Sequence, residues 1–321
     1  MRRLIFFLLT FLCVAPMNAT AAETPHVVVS IKPLHSLVSA VMDGVGTPEL
    51  LVKKGSPHGY SLRPSEAQAL AHADLVIWVG HELESFLVKP LKTVAHRAEK
   101  LTLAHHLKDD LLTKRQGHQW ETHMHHHDEA HHDEAHHDEA HHDADHHDET
   151  ASPDLHIWLN PHLAKKIVAE TAATLVRVDP QHTKIYRENE AKVISRLDQL
   201  DKRLREKLKP FKNTPYLVFH AAYQYFEAAY GLNPVGSVTI DPERKPGAKR
   251  ISEIRHKLKE TNARCVFSEP QFESRIVATI IEGTGVKTGT LDPVGADIPP
   301  GQDAYFTLLS RLADDLAKGL Q

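Results

Sequence analysis

From His26 onward the chain alternates short apolar runs with longer amphipathic ones. "HVVVSI" and "ADLVIWVG" are brief, rich in Val and Ile and bounded by polar residues, as strands buried on both faces of a parallel sheet are. "PELLVKK" reads as extended, and "RPSEAQALAHA" has helical composition with Ser65 as a candidate N-cap. The alternation resumes beyond residue 210. There "TPYLVFH", "PVGSVT" and "ARCVFSE" read as strands, while "AAYQYFEAAYG", closing on Gly231, "KRISEIRHKLKETN" and "SRIVATIIEGTG" read as helices. Two such series predict an α/β protein of two lobes, each with a mainly parallel sheet flanked by helices. A length of 321 residues agrees, because single cores tend to split beyond about 250 residues.

Between the two series lies "PHLAKKIVAETAATLVRV", a helical run that Asn160 can cap with Pro161 at its first position. After Asp179 and Pro180, the residues Ile185, Val193, Ile194, Leu197, Leu200, Leu204 and Leu208 fall on one helical face, with no Gly or Pro before Pro210. The spacing predicts one amphipathic helix of about 28 residues, about 42 Å long, acting as a stiff connector. The expected organisation is a leader at 1–22, a first lobe at 23–178 with an insertion at 117–150, the connecting helix at 179–209 and a second lobe at 210–321.

The N-terminus changes the picture of where the protein works. Arg2 and Arg3 precede the apolar run "LIFFLLTFLCVA", and "ATAA" precedes Glu23. A basic start, a short apolar segment and small residues at a cleavage point predict an export signal cut near Ala21 or Ala22. The run is too short for the ~20 residues a membrane-spanning helix needs, and Leu12 before Cys13 argues against lipidation. The expected product is a soluble, monomeric periplasmic protein. It keeps one cysteine, Cys265, and so has no internal disulfide.

From His126 to Thr150 a five-residue unit recurs five times, and each copy opens with two histidines. A period of five fits neither helix nor strand. Beyond Met124 only Ala is apolar, so the segment reads as a disordered insertion. It holds half of the chain's 26 histidines: His118, His123, His125, His126, His127, His131, His132, His136, His137, His141, His142, His146 and His147. Imidazoles alternating with carboxylates on a flexible chain predict many weak, exchanging metal sites. The units also carry ten acidic residues and no Lys or Arg. Without them the formal charge of −4 becomes +6, or +4 once Arg2 and Arg3 are also removed. Nothing in that balance, and no basic cluster with interleaved aromatics, points to nucleic acid.

A selective zinc site needs three or four ligands held about 2.0–2.2 Å from the ion by rigid elements. His58 lies in the loop "KKGSPHGYSLRPS", His156 in "DLHIWLNPH", His220 at the end of "YLVFH" and Asp292 at the end of "VKTGTLDPVG". Ligands of parallel α/β sheets gather beyond the carboxyl ends of strands, so these four share a plausible placement. Taken singly, each reads more readily as an ordinary polar loop residue, and their shared placement only brings the joint ligand reading level with that one.

The ordered set "SPHGYSLRPS", "DLHIWLNP", "DPQHTKIYREN", "VFHAAYQYFEAAYGL", "FSEPQ" and "GTLDPVG" resembles the zinc-uptake branch of the metal-binding solute receptors of ABC transporters. The likeness runs from about residue 26 to the C-terminus, with the histidine-rich insertion where that branch carries one. The resemblance implies two α/β lobes joined by one long helix and zinc held in the cleft between them. His58 and His156 would come from the first lobe, His220 and Asp292 from the second, and a membrane permease would receive the ion. Members of that branch can carry a glutamate immediately before the first histidine, where this chain has Pro57. The fourth position is then left to Asp292 or water. Members also often pair the cysteine at position 265 with one near the C-terminus, which "LADDLAKGLQ" lacks, so Cys265 should be a buried free thiol. Glu269 and Arg63 are candidates to orient ligand rings, and each reads equally well as a surface salt bridge.

Three imidazoles and one carboxylate suit zinc, whereas manganese would favour more oxygen donors. A rival reading is an exported zinc hydrolase, but "HELES" at His81 has Ser85 where an HExxH motif needs histidine, and no GxSxG elbow occurs. The sequence therefore predicts no enzyme. A periplasmic metal buffer or chaperone without a permease is the other alternative.

Overall fold

In a computed structural model of the chain, residues 24–115, 152–239, 242–243, 245–272 and 275–321 are described. The expected leader at 1–22 and the histidine-rich insertion, with all thirteen of its histidines, lie outside them.

The first lobe is built on Val27–Ile31 (β1), whose five side chains are all buried. It pairs in parallel with Glu49–Val52 (β2) on one side and Leu75–Trp78 (β3) on the other, and Glu99–Thr102 (β4) continues from β3, giving the order β2-β1-β3-β4. Lys32–Val41 (α1), Pro64–His72 (α2), Ser85–Thr93 (α3) and the short Leu103–His106 (α4) alternate with these strands. The start of α2 differs from the sequence expectation. Ser65 falls inside its first turn, and the carboxylate of Glu66 reaches back to accept the Arg63 amide at 2.8 Å. At Pro161–Val178 (α5) the expectation holds, with the Asn160 side chain accepting the His162 amide at 2.8 Å.

The long helix, Thr183–Leu208 (α6), has 26 residues and follows a 3-10 turn at Pro180–His182; its length is about 39 Å. Its buried face is Tyr186, Asn189, Val193, Leu197, Leu200, Leu204 and Leu208, while Ile185 and Ile194 are half-buried.

In the second lobe Pro215–His220 (β5) is followed by Gln224–Tyr230 (α7), Asn233–Thr239 (β6), Ala248–Thr261 (α8), Cys265–Ser268 (β7), Arg275–Ile281 (α9), Lys287–Thr290 (β8) and Ala304–Leu320 (α10). The strands are again all parallel, in the order β6-β5-β7-β8. Gly231 stops α7 in the left-handed conformation at φ 63°, which a residue without a Cβ adopts freely.

Helix α6 is no bare rod between the lobes, since α5, α1 and α10 all pack on it. Asn189, near the N-terminal end of its buried face, donates to the carbonyls of Val41 and Asp43 at 3.0 and 2.8 Å and so satisfies the end of α1. One apolar cluster runs through both lobes, from Leu34 and Leu37 through Trp158 and Leu200 to Tyr223, Leu291 and Tyr305. Two smaller clusters underlie the outer helices, around Leu70 and Val76 in the first lobe and around Ile254 and Val266 in the second. A shared core of this kind resists wide hinge motion, because interiors are close-packed. Cys265 is free and buried on β7, where burial pushes its thiol up to about 12. Among the described residues, no helix is long and apolar enough to cross a membrane.

Candidate metal centre

Three histidines from three separate segments, two in the first lobe and one in the second, come together. His58 stands in the loop after β2, past Gly55 at φ 88° and the buried Pro57, with its amide donating to Ser56 Oγ at 3.2 Å. His156 precedes the 3-10 turn Ile157–Leu159, whose three side chains are buried. His220 is the last residue of β5 and pairs with Thr239 on β6. Their donor atoms lie within 4.8 Å of one another. The Nε2 of His156 is 3.3 Å from that of His58 and 3.2 Å from that of His220.

The partners of the other ring nitrogens decide what these short contacts mean. His156 Nδ1 lies 2.7 Å from Asp154 Oδ1, and His220 Nδ1 lies 2.9 and 3.1 Å from the two oxygens of Glu269. A carboxylate only accepts, so each Nδ1 carries the proton and each Nε2 of a neutral ring presents a lone pair. Two lone pairs 3.2 Å apart repel unless a cation stands between them. Four donors arranged tetrahedrally at about 2.0–2.1 Å from zinc are themselves about 3.3–3.4 Å apart. The measured separations match that edge, and the carboxylate–imidazole pairs fix the tautomer that metal binding requires.

Burial favours the neutral form of two of the three rings. Burial holds the His58 imidazole well below its ordinary value, and the neighbouring imidazoles of His156 and His220, with Lys114, push in the same direction. Burial also lowers His156, against an opposing pull from Asp154. The Trp158 ring lies 5.4 Å from that of His156, and its Nε1 donates to the Pro293 carbonyl at 2.7 Å. Phe272 packs 6.3 Å from His220. The space these groups enclose is about 10 Å³, room for an ion or a single water. A wider cavity of about 360 Å³, lined by Glu82, Lys114, Arg115, Asp154 and Glu243, opens onto His58 and His156.

Asp292, the fourth residue expected here, lies outside the three-imidazole group. Its carboxylate is the acceptor of a turn, taking the amides of Val294, Gly295 and Ala296 at 3.0, 2.8 and 2.5 Å and the Gln271 side chain at 2.7 Å. Arg63 also differs from expectation: its exposed guanidinium stands near Glu66 and has no part at the centre. Glu269 does orient a ring. Asp154 was missed, although an acidic residue two before a histidine, "DLH", amid apolar neighbours is a signal for it.

The family described as ZnuA, zinc-uptake complex component A, periplasmic, matches residues 27–319. The high-affinity zinc uptake system protein ZnuA of Brucella abortus (strain 2308) is 46% identical over 310 residues, covering 93% of this chain and 92% of that protein. Its counterpart in Yersinia pestis is 39% identical over 310 residues, covering 95% and 93%. Among solved structures, the periplasmic zinc binding protein TroA from Treponema pallidum superposes with a TM-score of 0.75 at 17% identity, over 93% of this chain and 99% of that chain. This last likeness shows the shared fold.

Proposed function

The chain belongs to the family of component A of the periplasmic zinc-uptake complex, and we propose that His58, His156 and His220 are the residues that hold its zinc. The protein is a receptor that captures zinc in the cleft between two lobes and passes it to the membrane permease of an ABC transporter. The observation that carries the ligand assignment is the facing pair of Nε2 lone pairs, 3.2 Å apart, each with its Nδ1 tied to a carboxylate. A water completes the tetrahedron, because Asp292 is engaged in its own turn.

Residues 1–22 direct export and are removed, and the mature protein is soluble and monomeric. The lobes span 23–178 and 210–321 on either side of the connecting segment 179–209. The thirteen histidines from His118 to His147 gather further zinc weakly. Three nitrogen donors favour zinc over manganese. The test is a competitive zinc titration of the full chain beside His58→Ala, His156→Ala and His220→Ala. One tight zinc in the parent chain, weakened at least about tenfold in each variant while the weaker binding is unchanged, is expected. A tight zinc that survives all three substitutions would overturn the assignment.

A further inference from the structure

We propose that Tyr225 and the Arg115–Glu227 pair are positioning residues for the metal centre, tying the root of the histidine-rich segment, and through it Asp154 and His156, to α7 of the second lobe. This rests on the ligand assignment above.

The two ends of the segment meet as a short antiparallel pair. The Lys114 amide donates to the Ser152 carbonyl at 2.9 Å, the Asp154 amide to the Leu112 carbonyl at 2.7 Å, and Thr113 bridges Pro153. Helix α7 grips both ends at once. The Tyr225 hydroxyl accepts the Leu112 amide at 2.9 Å and donates to the Asp154 carbonyl at 2.7 Å. Its single proton is thereby committed across the junction. Gln224 Nε2 donates to the Thr113 carbonyl at 3.1 Å. The Arg115 guanidinium pairs with the Glu227 carboxylate, which also accepts the Tyr216 hydroxyl at 3.2 Å.

Tyr225 and Glu227 are both 2% exposed, so parting α7 from the root would strand buried polar groups. The path onward is one residue long. Asp154, whose carbonyl takes the Tyr225 proton, also accepts the His156 amide at 3.0 Å and its Nδ1 at 2.7 Å through Oδ1. His156 precedes the connecting helix in sequence, yet its orientation is set in part from the second lobe. Any separation of the lobes that releases the ion must break the tie as well.

The experiment loads the full chain with one equivalent of Co²⁺ to read ligand geometry from its visible absorption, and with one equivalent of Zn²⁺ to follow release to a chelator. Tyr225→Phe keeps the ring and removes only the tie, and Glu227→Gln weakens the neighbouring pair. Tyr230→Phe is the control, since it deletes a comparable buried hydroxyl that donates to Asp201 at 3.0 Å, remote from the centre. Expected are a shifted cobalt spectrum and zinc release about 3–10-fold faster in Tyr225→Phe, somewhat less than for a group bonded directly to the ligand. Glu227→Gln should move both readouts in the same direction, and Tyr230→Phe should lower Tm alone. Parent-like spectrum and release in Tyr225→Phe and Glu227→Gln, or equal changes in Tyr230→Phe, would overturn the tie. Absence of one tight zinc in the parent chain would instead overturn the ligand assignment.

Discussion

His220 and His58 reach the same point by different means. His220 ends β5, a central strand flanked by β6 and β7, and Glu269 just beyond β7 grips its Nδ1. His58 stands on a half-buried loop, and the bond its segment makes locally is from its own amide to Ser56 Oγ. One imidazole is built into a sheet and held by Glu269; the other is carried by a loop outside the strands, anchored by the buried Pro57 and by Tyr60, whose hydroxyl donates to Glu66 at 2.7 Å. His156 resembles His220, with Asp154 in the place of Glu269. On the proposed assignment, the centre combines two rings held by carboxylates with a third, His58, supplied by a loop. Such an arrangement suits a receptor that must both capture an ion and let it go.

Removing a member of the carboxylate-held pair should have the largest effect. His220→Ala is expected to weaken the tight zinc by about 10²–10³-fold, roughly a quarter of the ~10–16 kcal/mol that a four-ligand zinc site supplies. His58→Ala should cost less, about 10–100-fold, because the pair and solvent still hold the ion. Equal losses in a chelator-competition titration would break the distinction between the two histidines. Next come the carboxylates: Glu269→Gln and Asp154→Asn should each weaken binding by about 10–100-fold with the three ligands intact.

The pH dependence sharpens the comparison further. Burial lowers His58 and His156, so both remain neutral and ready for metal below the ordinary imidazole value of about 6.5. Zinc affinity of the centre should stay level from pH 8 to about 6.5 and decline only in more acid solution. A synthetic peptide of residues 118–147 should lose zinc as pH falls through about 6.5. The same shifts act on folding. Between about 6.5 and the lowered values the unfolded chain binds more protons, so the metal-free protein should lose stability as pH falls through that window, as thermal melts at stepped pH would show. Coincident zinc-binding curves for the peptide and the centre would contradict the role given to burial. The smallest change is expected on deleting residues 118–148, which should leave the tight zinc within about twofold and remove several weaker ones in calorimetry.

Much of this was legible where chemistry is local. β1 and β3 are Val/Ile-rich runs, β5 is a short apolar run, and α6 announces itself by its leucine column. β4, "EKLT", was not legible as a strand in this way, because its membership depends on pairing with β3 and not on apolar content, whereas β8 falls within "VKTGTLDPVG", which reads as extended. Helix α1 was hidden for the opposite reason: all ten of its residues are buried, which leaves no polar face to show a period. The connector expected from α6 proved to be a packed element, since one helix's spacing carries no record of the three helices that cover it. At the centre, the three histidines stood out at the ends of extended runs. Asp292 did too, but the turn it builds is made with backbone amides, which no side-chain pattern records. Asp154 and Glu269 act through ring nitrogens whose orientation exists only once the chain is folded.

The most direct test is an anomalous-scattering map at the zinc edge from crystals of the full chain loaded with one equivalent of the metal. A single strong peak about 2.0–2.1 Å from the Nε2 atoms of His58, His156 and His220 is expected. A map with nothing between those three atoms, and its ordered zinc among the histidines of residues 118–147, would contradict the three-imidazole centre.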